Sequence, residues 1–177
     1  DAKVLPYHLD DRSKLHDDYK YLVDLHERLL ADLSNELNKL HGVEYSIRYW
    51  RILIGTWLGY FTQILFDRWT SIQQASSDYD LSGTVVLTGS EENFVALDMT
   101  HFNTLYTTSE WNHYIYSAIL IGYTKIPFIK IKRCKGEIQT PISPMKKKSW
   151  QKIVKNKILF CFIKLSKVLS SDQDAFF

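Results

Sequence analysis

Residues 45–69 read Tyr45-Ser46-Ile47-Arg48-Tyr49-Trp50-Arg51-Ile52-Leu53-Ile54-Gly55-Thr56-Trp57-Leu58-Gly59-Tyr60-Phe61-Thr62-Gln63-Ile64-Leu65-Phe66-Asp67-Arg68-Trp69. Three of the chain's five tryptophans, two glycines and three arginines gather here. Whether this stretch crosses a membrane or lies inside a domain decides the fold. Fifteen residues separate Arg51 from Asp67. At about 1.5 Å each they span roughly 22 Å of helix, short of a hydrocarbon core about 30 Å thick. They also include Gln63 and two threonines. The expectation is a buried helix at the centre of a domain, from Ser46 to about Ala75.

Working back toward the start, Leu15, Tyr19, Leu22, His26, Leu29, Leu33, Leu37 and Leu40 recur at three- and four-residue spacing, which predicts a long amphipathic helix. Asp10, Asp11 and Ser13 offer N-caps for it, and Gly42 a C-cap. Asp17, Asp18, Asp24, Glu27, Arg28, Asp32 and Glu36 fall mostly on its other face, as a solvated surface. Lys3–His8 is a short extended candidate that Pro6 restricts to a sheet edge.

Working forward, Gly83 and Gly89 enclose Thr84-Val85-Val86-Leu87-Thr88, a β-branched run of strand length. It lacks strict alternation, so it predicts a strand covered on both faces, as in a parallel sheet between helices. The class is therefore α/β and predominantly helical, with long helices around a small parallel sheet. Asp98–Tyr106 is a short helix, and Thr107-x-x-Glu110 is a capping-box pattern opening another, with Trp111, Tyr114, Ile115, Ala118, Ile119 and Gly122 on one face. Lys125–Lys132 is a further extended candidate, which Pro127 opposes. A basic amphipathic helix is expected over residues 145–169.

With 177 residues, 45% of them hydrophobic, the chain can fill a real core, which excludes disorder for most of it. Its formal charge of +2 conceals an asymmetry. Residues 1–124 hold 9 Lys/Arg against 17 Asp/Glu, and residues 125–177 hold 13 against 3. The acidic body argues against a nucleic-acid partner. The basic helix, with Trp150, Ile153, Val154, Leu159 and Phe162, suits an anionic membrane surface or a bridge between domains. Cys134 and Cys161 match neither a disulfide framework nor a zinc spacing, which fits a reducing cytoplasmic setting. The chain opens without Met or a secretory signal and ends on Asp-Ala-Phe-Phe, so a piece of a longer protein is expected.

Arg51, Gly55, Gly59, Gln63 and Asp67 follow one another at i+4 as a row of small and polar groups. A helix glycine costs about 1 kcal/mol relative to alanine, so something approaches the backbone there: another helix, the commoner case, or a ligand chain. Arg48 and Arg51 share a face and can hold a phosphate or carboxylate, or be tied to acidic side chains. Asp67 lies about 24 Å from Arg51 along the helix, so Asp67-Arg68 needs partners elsewhere, as an ion pair or as part of a site. No histidine pair has a metal or triad spacing, and none of the common phosphate-loop or hydrolase motifs occurs. His113, beside Asn112 near a helix N-terminus, suits an anion or sugar hydroxyls. Glu91-Glu92 after the strand can serve as a carboxylate at a sheet edge or simply complement a helix dipole.

The strings Ser46-Ile47-Arg48-Tyr49-Trp50-Arg51-Ile52-Leu53-Ile54-Gly55, Trp57-Leu58-Gly59 and Phe66-Asp67-Arg68-Trp69 resemble the signature of a transferase family encoded in bacterial O-antigen gene clusters. The likeness continues through Gly83-Thr84-Val85-Val86-Leu87, Trp111-Asn112-His113-Tyr114 and the lysine-rich segment near Lys146. Thr56 departs from it, proline being common there. The resemblance implies the N-terminal, acceptor-side half of a two-lobed, GT-B-like glycosyltransferase of surface-polysaccharide synthesis, cytoplasmic or peripheral to the inner membrane. It implies an N-terminal α/β domain over residues 1–140, then a basic helix and linker over 141–177 leading to a C-terminal domain. A nucleotide-sugar donor is expected for the whole protein, with no cofactor or metal in this portion and a sugar acceptor as partner. Arg48, Arg51, Asp67, Arg68 and His113 are the substrate-binding candidates. The alternative is a non-catalytic interaction module docking through the basic helix.

Overall fold

A computed structural model describes residues 3–88 and 95–132. Its elements, in chain order, are a 3-10 turn His8–Asp10, helices α1 (Arg12–His41) and α2 (Ile47–Asp78), strand β1 (Thr84–Thr88), helices α3 (Met99–Leu105) and α4 (Ser109–Tyr123), and strand β2 (Phe128–Lys132). The described residues are predominantly helical, with one small parallel sheet of β1 and β2. No helix among them is long and apolar enough to cross a membrane. The basic helix expected over residues 145–169 lies outside the described residues, as do Glu91-Glu92, Cys134 and Cys161.

Two compact units divide the chain, one of Asp1–Thr84 with Ile115–Pro127, the other containing Val85–Tyr114 and β2. In the first, α1 and α2 form an antiparallel hairpin. Asp11 caps α1, its Oδ1 accepting from the Ser13 and Lys14 N–H groups at 2.9 and 3.2 Å. Gly42 ends it at φ 64°, ψ 38°, a left-handed conformation that glycine adopts without Cβ strain. Ser46 caps α2 through Tyr49 N–H. Leu25, Leu29 and Leu30 of α1 and Leu58, Phe61, Leu65, Trp69 and Ile72 of α2 are buried; of the stripe expected on α1 only Leu29 is buried, while Leu15 and Tyr19 are 42% and 64% exposed. The C-terminal turns of α4 add buried Ile115 and Ile119.

Asn38 clamps the hairpin's closed end. Its amide Nδ2 donates to Tyr45 O at 2.9 Å, and its Oδ1 accepts from Tyr45 N–H at 3.1 Å and from the buried Trp50 indole at 2.8 Å. α2 continues past Ala75 to Asp78, with Tyr79 N–H closing its last turn on Ala75 O.

Three local expectations are corrected. Lys3–Tyr7 forms no strand, and His8 begins a 3-10 turn instead; Pro6 withholds a donor and no neighbouring strand pairs with the segment. β1 is buried on one side only, Val86 at 1% against Val85 at 47% and Leu87 at 38%. This is the alternation of a half-covered strand rather than of one between two helix layers. Finally, Thr108 rather than Thr107 caps α4, its hydroxyl accepting from Trp111 N–H, while the Thr107 hydroxyl turns back to Thr104 O. Glu110 thus sits inside the first turn, where it complements the helix dipole.

Candidate functional site

The i+4 row on α2 meets α1, not open space. His26 donates from Nε2 to Gly55 O at 3.1 Å, and a Cβ built on Gly59 would lie 3.8 Å from His26 Cδ2. The imidazole occupies the groove the two glycines leave, which is the helix-against-helix reading of the row. At its head, Arg51 donates both guanidinium arms to Glu27 of α1, at 2.5 and 2.6 Å. The pair holds the Glu27 carboxyl well below its usual range, at about 2, chiefly through the Arg51 hydrogen bonds. Arg48 is exposed and, among the described residues, enters no ion pair. The structure therefore does not bring Arg48 and Arg51 together as one anion clamp.

At the far end of the row stands a polar cluster around Asp67. Asp67 Oδ1 accepts from Nε2 of His8 at 2.9 Å, and Asp67 Oδ2 pairs with Arg68. The Tyr7 phenol is pushed up by burial and by the Asp67 charge. The Arg68 guanidinium lies over the Tyr116 ring, 5.7 Å from its centroid. The His8 ring is buried, with Tyr7 edge-on at 5.2 Å and Phe66 at 6.3 Å. Asp18, facing this end from α1, is pushed up by burial, an effect opposed by Lys14 and His8. Asp67-Arg68 thus finds its partners across the hairpin, as its distance from Arg51 requires.

His113 serves the second unit. Its Nε2 accepts the Leu87 N–H of β1 at 2.9 Å, so Nδ1 carries the ring proton and α4 is fastened to the strand. Its neighbour Asn112 donates to Tyr106 O and Thr108 O, both at 2.8 Å. Asn112 thereby stabilises the turn that opens α4. Among the described residues no group of three or more His, Cys, Asp or Glu is placed to hold a metal ion.

Of the sequence candidates, Asp67 and Arg68 share one cluster, whereas Arg51 lies at the other end of the α2 row, Arg48 one turn before it, and His113 belongs to the second unit. His8, Tyr7, Asp18 and Tyr116 were not among the candidates. His8 and Asp67 are 59 positions apart, and no local spacing marks such a pair.

A family model described as LIC12162 family transferase matches residues 1–177. The chain belongs to the LIC12162 family of transferases. No curated protein and no solved structure matches it. Group transfer is thus the chemistry to be sought in this LIC12162 family chain, and the Asp67 cluster is where its described residues concentrate charged, hydrogen-bonded side chains.

Proposed function

We propose that this chain is the acceptor-side portion of a glycosyltransferase that moves an activated sugar during O-antigen or related surface-polysaccharide assembly. In this reading the protein is two-lobed and GT-B-like. A further half of the same protein holds the nucleotide-sugar donor, and the Asp67, Arg68 and His8 cluster faces the acceptor. Arg51 and His113 are given to the fold, since Glu27 and the Leu87 N–H already engage them.

The observation that carries the reading is the match of the whole chain to a transferase family. The cluster supports it chemically: a fixed carboxylate beside an imidazole and a guanidinium can orient a hydroxyl nucleophile and handle its proton. The test is genetic complementation in the source organism. Deleting the gene is expected to shorten or remove surface polysaccharide. The wild-type gene should restore it, and Asp67→Ala with Arg68→Ala should not, at equal protein level. Unchanged polysaccharide in the deletion strain would sink the reading.

A further inference from the structure

We propose that His8 is the proton acceptor for the incoming hydroxyl, with Asp67 holding its ring and Asp18 stabilising the imidazolium that forms. The inference rests on the sugar-transferase reading above. Asp67, paired with Arg68 as a carboxylate, can only accept from His8, so Nε2 carries a ring proton, and in the neutral ring Nδ1 holds the lone pair. His8 is 6% exposed, and its Nδ1 is buried with no partner among the described residues. Buried polar atoms are paired in the great majority of cases, so Nδ1 marks a place where a polar hydrogen is missing. Asp18 Oδ2 is likewise buried without a partner, and His8 is close enough for its charge to act on that carboxyl.

Other histidines differ in this respect. His26 spends Nε2 on Gly55 O and has Nδ1 at 3.5 Å from Glu27, while His113 Nε2 and His101 Nδ1 each accept a backbone N–H. His8 has a fixed, carboxylate-bonded nitrogen on one side and an uncommitted lone pair on the other, the arrangement of a base in a carboxylate–imidazole pair. It also lies on a three-residue turn rather than within a long helix.

In the step itself, the acceptor O–H proton moves to Nδ1 while the acceptor oxygen bonds the anomeric carbon of a nucleoside-diphosphate sugar. The bond from that carbon to the diphosphate oxygen breaks, and the diphosphate leaves with the electron pair. The imidazolium lies between Asp67 and Asp18 until its proton returns to solvent.

The experiment uses the full-length protein, with UDP-, GDP- and dTDP-hexoses as donor probes and lipid extract from the deletion strain as acceptor, reading nucleoside diphosphate release. His8→Gln keeps an N–H for Asp67 but offers no base. It is expected to lower kcat about 10²- to 10⁴-fold with KM little changed, and to flatten the acid limb of the wild-type pH profile. A folded His8→Gln within about 3-fold of wild type overturns the inference and leaves the transferase reading standing. A wild type that releases no diphosphate from any probe fails that reading and the inference with it. Should His8→Gln not fold, nitrogen-15 spectra of the wild-type imidazoles decide. The expected tautomer has hydrogen on Nε2 and none on Nδ1, and the reverse overturns the assignment.

Discussion

Arg51 of α2 grips Glu27 of α1 with both guanidinium arms, at 2.5 and 2.6 Å, on a face where the Glu27 side chain is 48% exposed. The carboxyl is depressed from 4.5 to about 2, so the pair's stabilisation is complete above pH 4.5 and is lost as the pH falls toward 2. Solvent and salt screen so exposed a pair. Glu27→Gln is expected to lower the Tm at pH 7 by only about 2 °C. Melting curves of both proteins should converge between pH 4.5 and 2. A gap that persists at pH 2 would show that the loss has another source.

The groove holding His26 makes the two α2 glycines unequal. A Cβ on Gly59 meets His26 at 3.8 Å, ordinary contact, so Gly59→Ala should gain about 0.5–1 kcal/mol from helix propensity. A Cβ on Gly55 comes within 3.3 Å of Arg51 Cγ, on the side chain that Glu27 pins. Gly55→Ala should therefore gain nothing. Urea midpoints decide, and equal gains at both positions would refute the assignment.

Asn38 connects the loop backbone and a buried indole through three hydrogen bonds. Asn38→Ala strips the partner from Trp50 Nε1, whose residue is 6% exposed, and should cost about 2 kcal/mol. Tryptophan emission and denaturant unfolding measure this directly. An unchanged midpoint would show that the clamp is ornamental to stability.

Local chemistry made the helical frame legible in advance. The three- and four-residue recurrence of leucines marked α1, Gly42 its end, Ser46 the start of α2, and the β-branched run between Gly83 and Gly89 gave β1. The span between Arg51 and Asp67 ruled out a membrane helix and obliged Asp67 to find a distant partner. Which partner was beyond reach, because His8 sits on a 3-10 turn with no periodicity of its own and meets Asp67 only when the hairpin closes. Thr107 and Thr108 show the same limit at short range. Two adjacent hydroxyls are equal as cap formers in sequence, and the fold chooses by which one faces Trp111 N–H.

His113 tests whether a side chain near a helix start binds ligand or backbone. Its Nε2 accepts the Leu87 N–H at 2.9 Å. His113→Ala removes that acceptor and should cost about 1 kcal/mol, since the bond is exposed and water partly replaces it. Gln at this position presents Oε1 near where Nε2 stood, so His113→Gln should recover most of the loss and leave transfer activity intact. A His113→Gln protein that melts like wild type yet transfers nothing would return His113 to the site and withdraw its structural assignment.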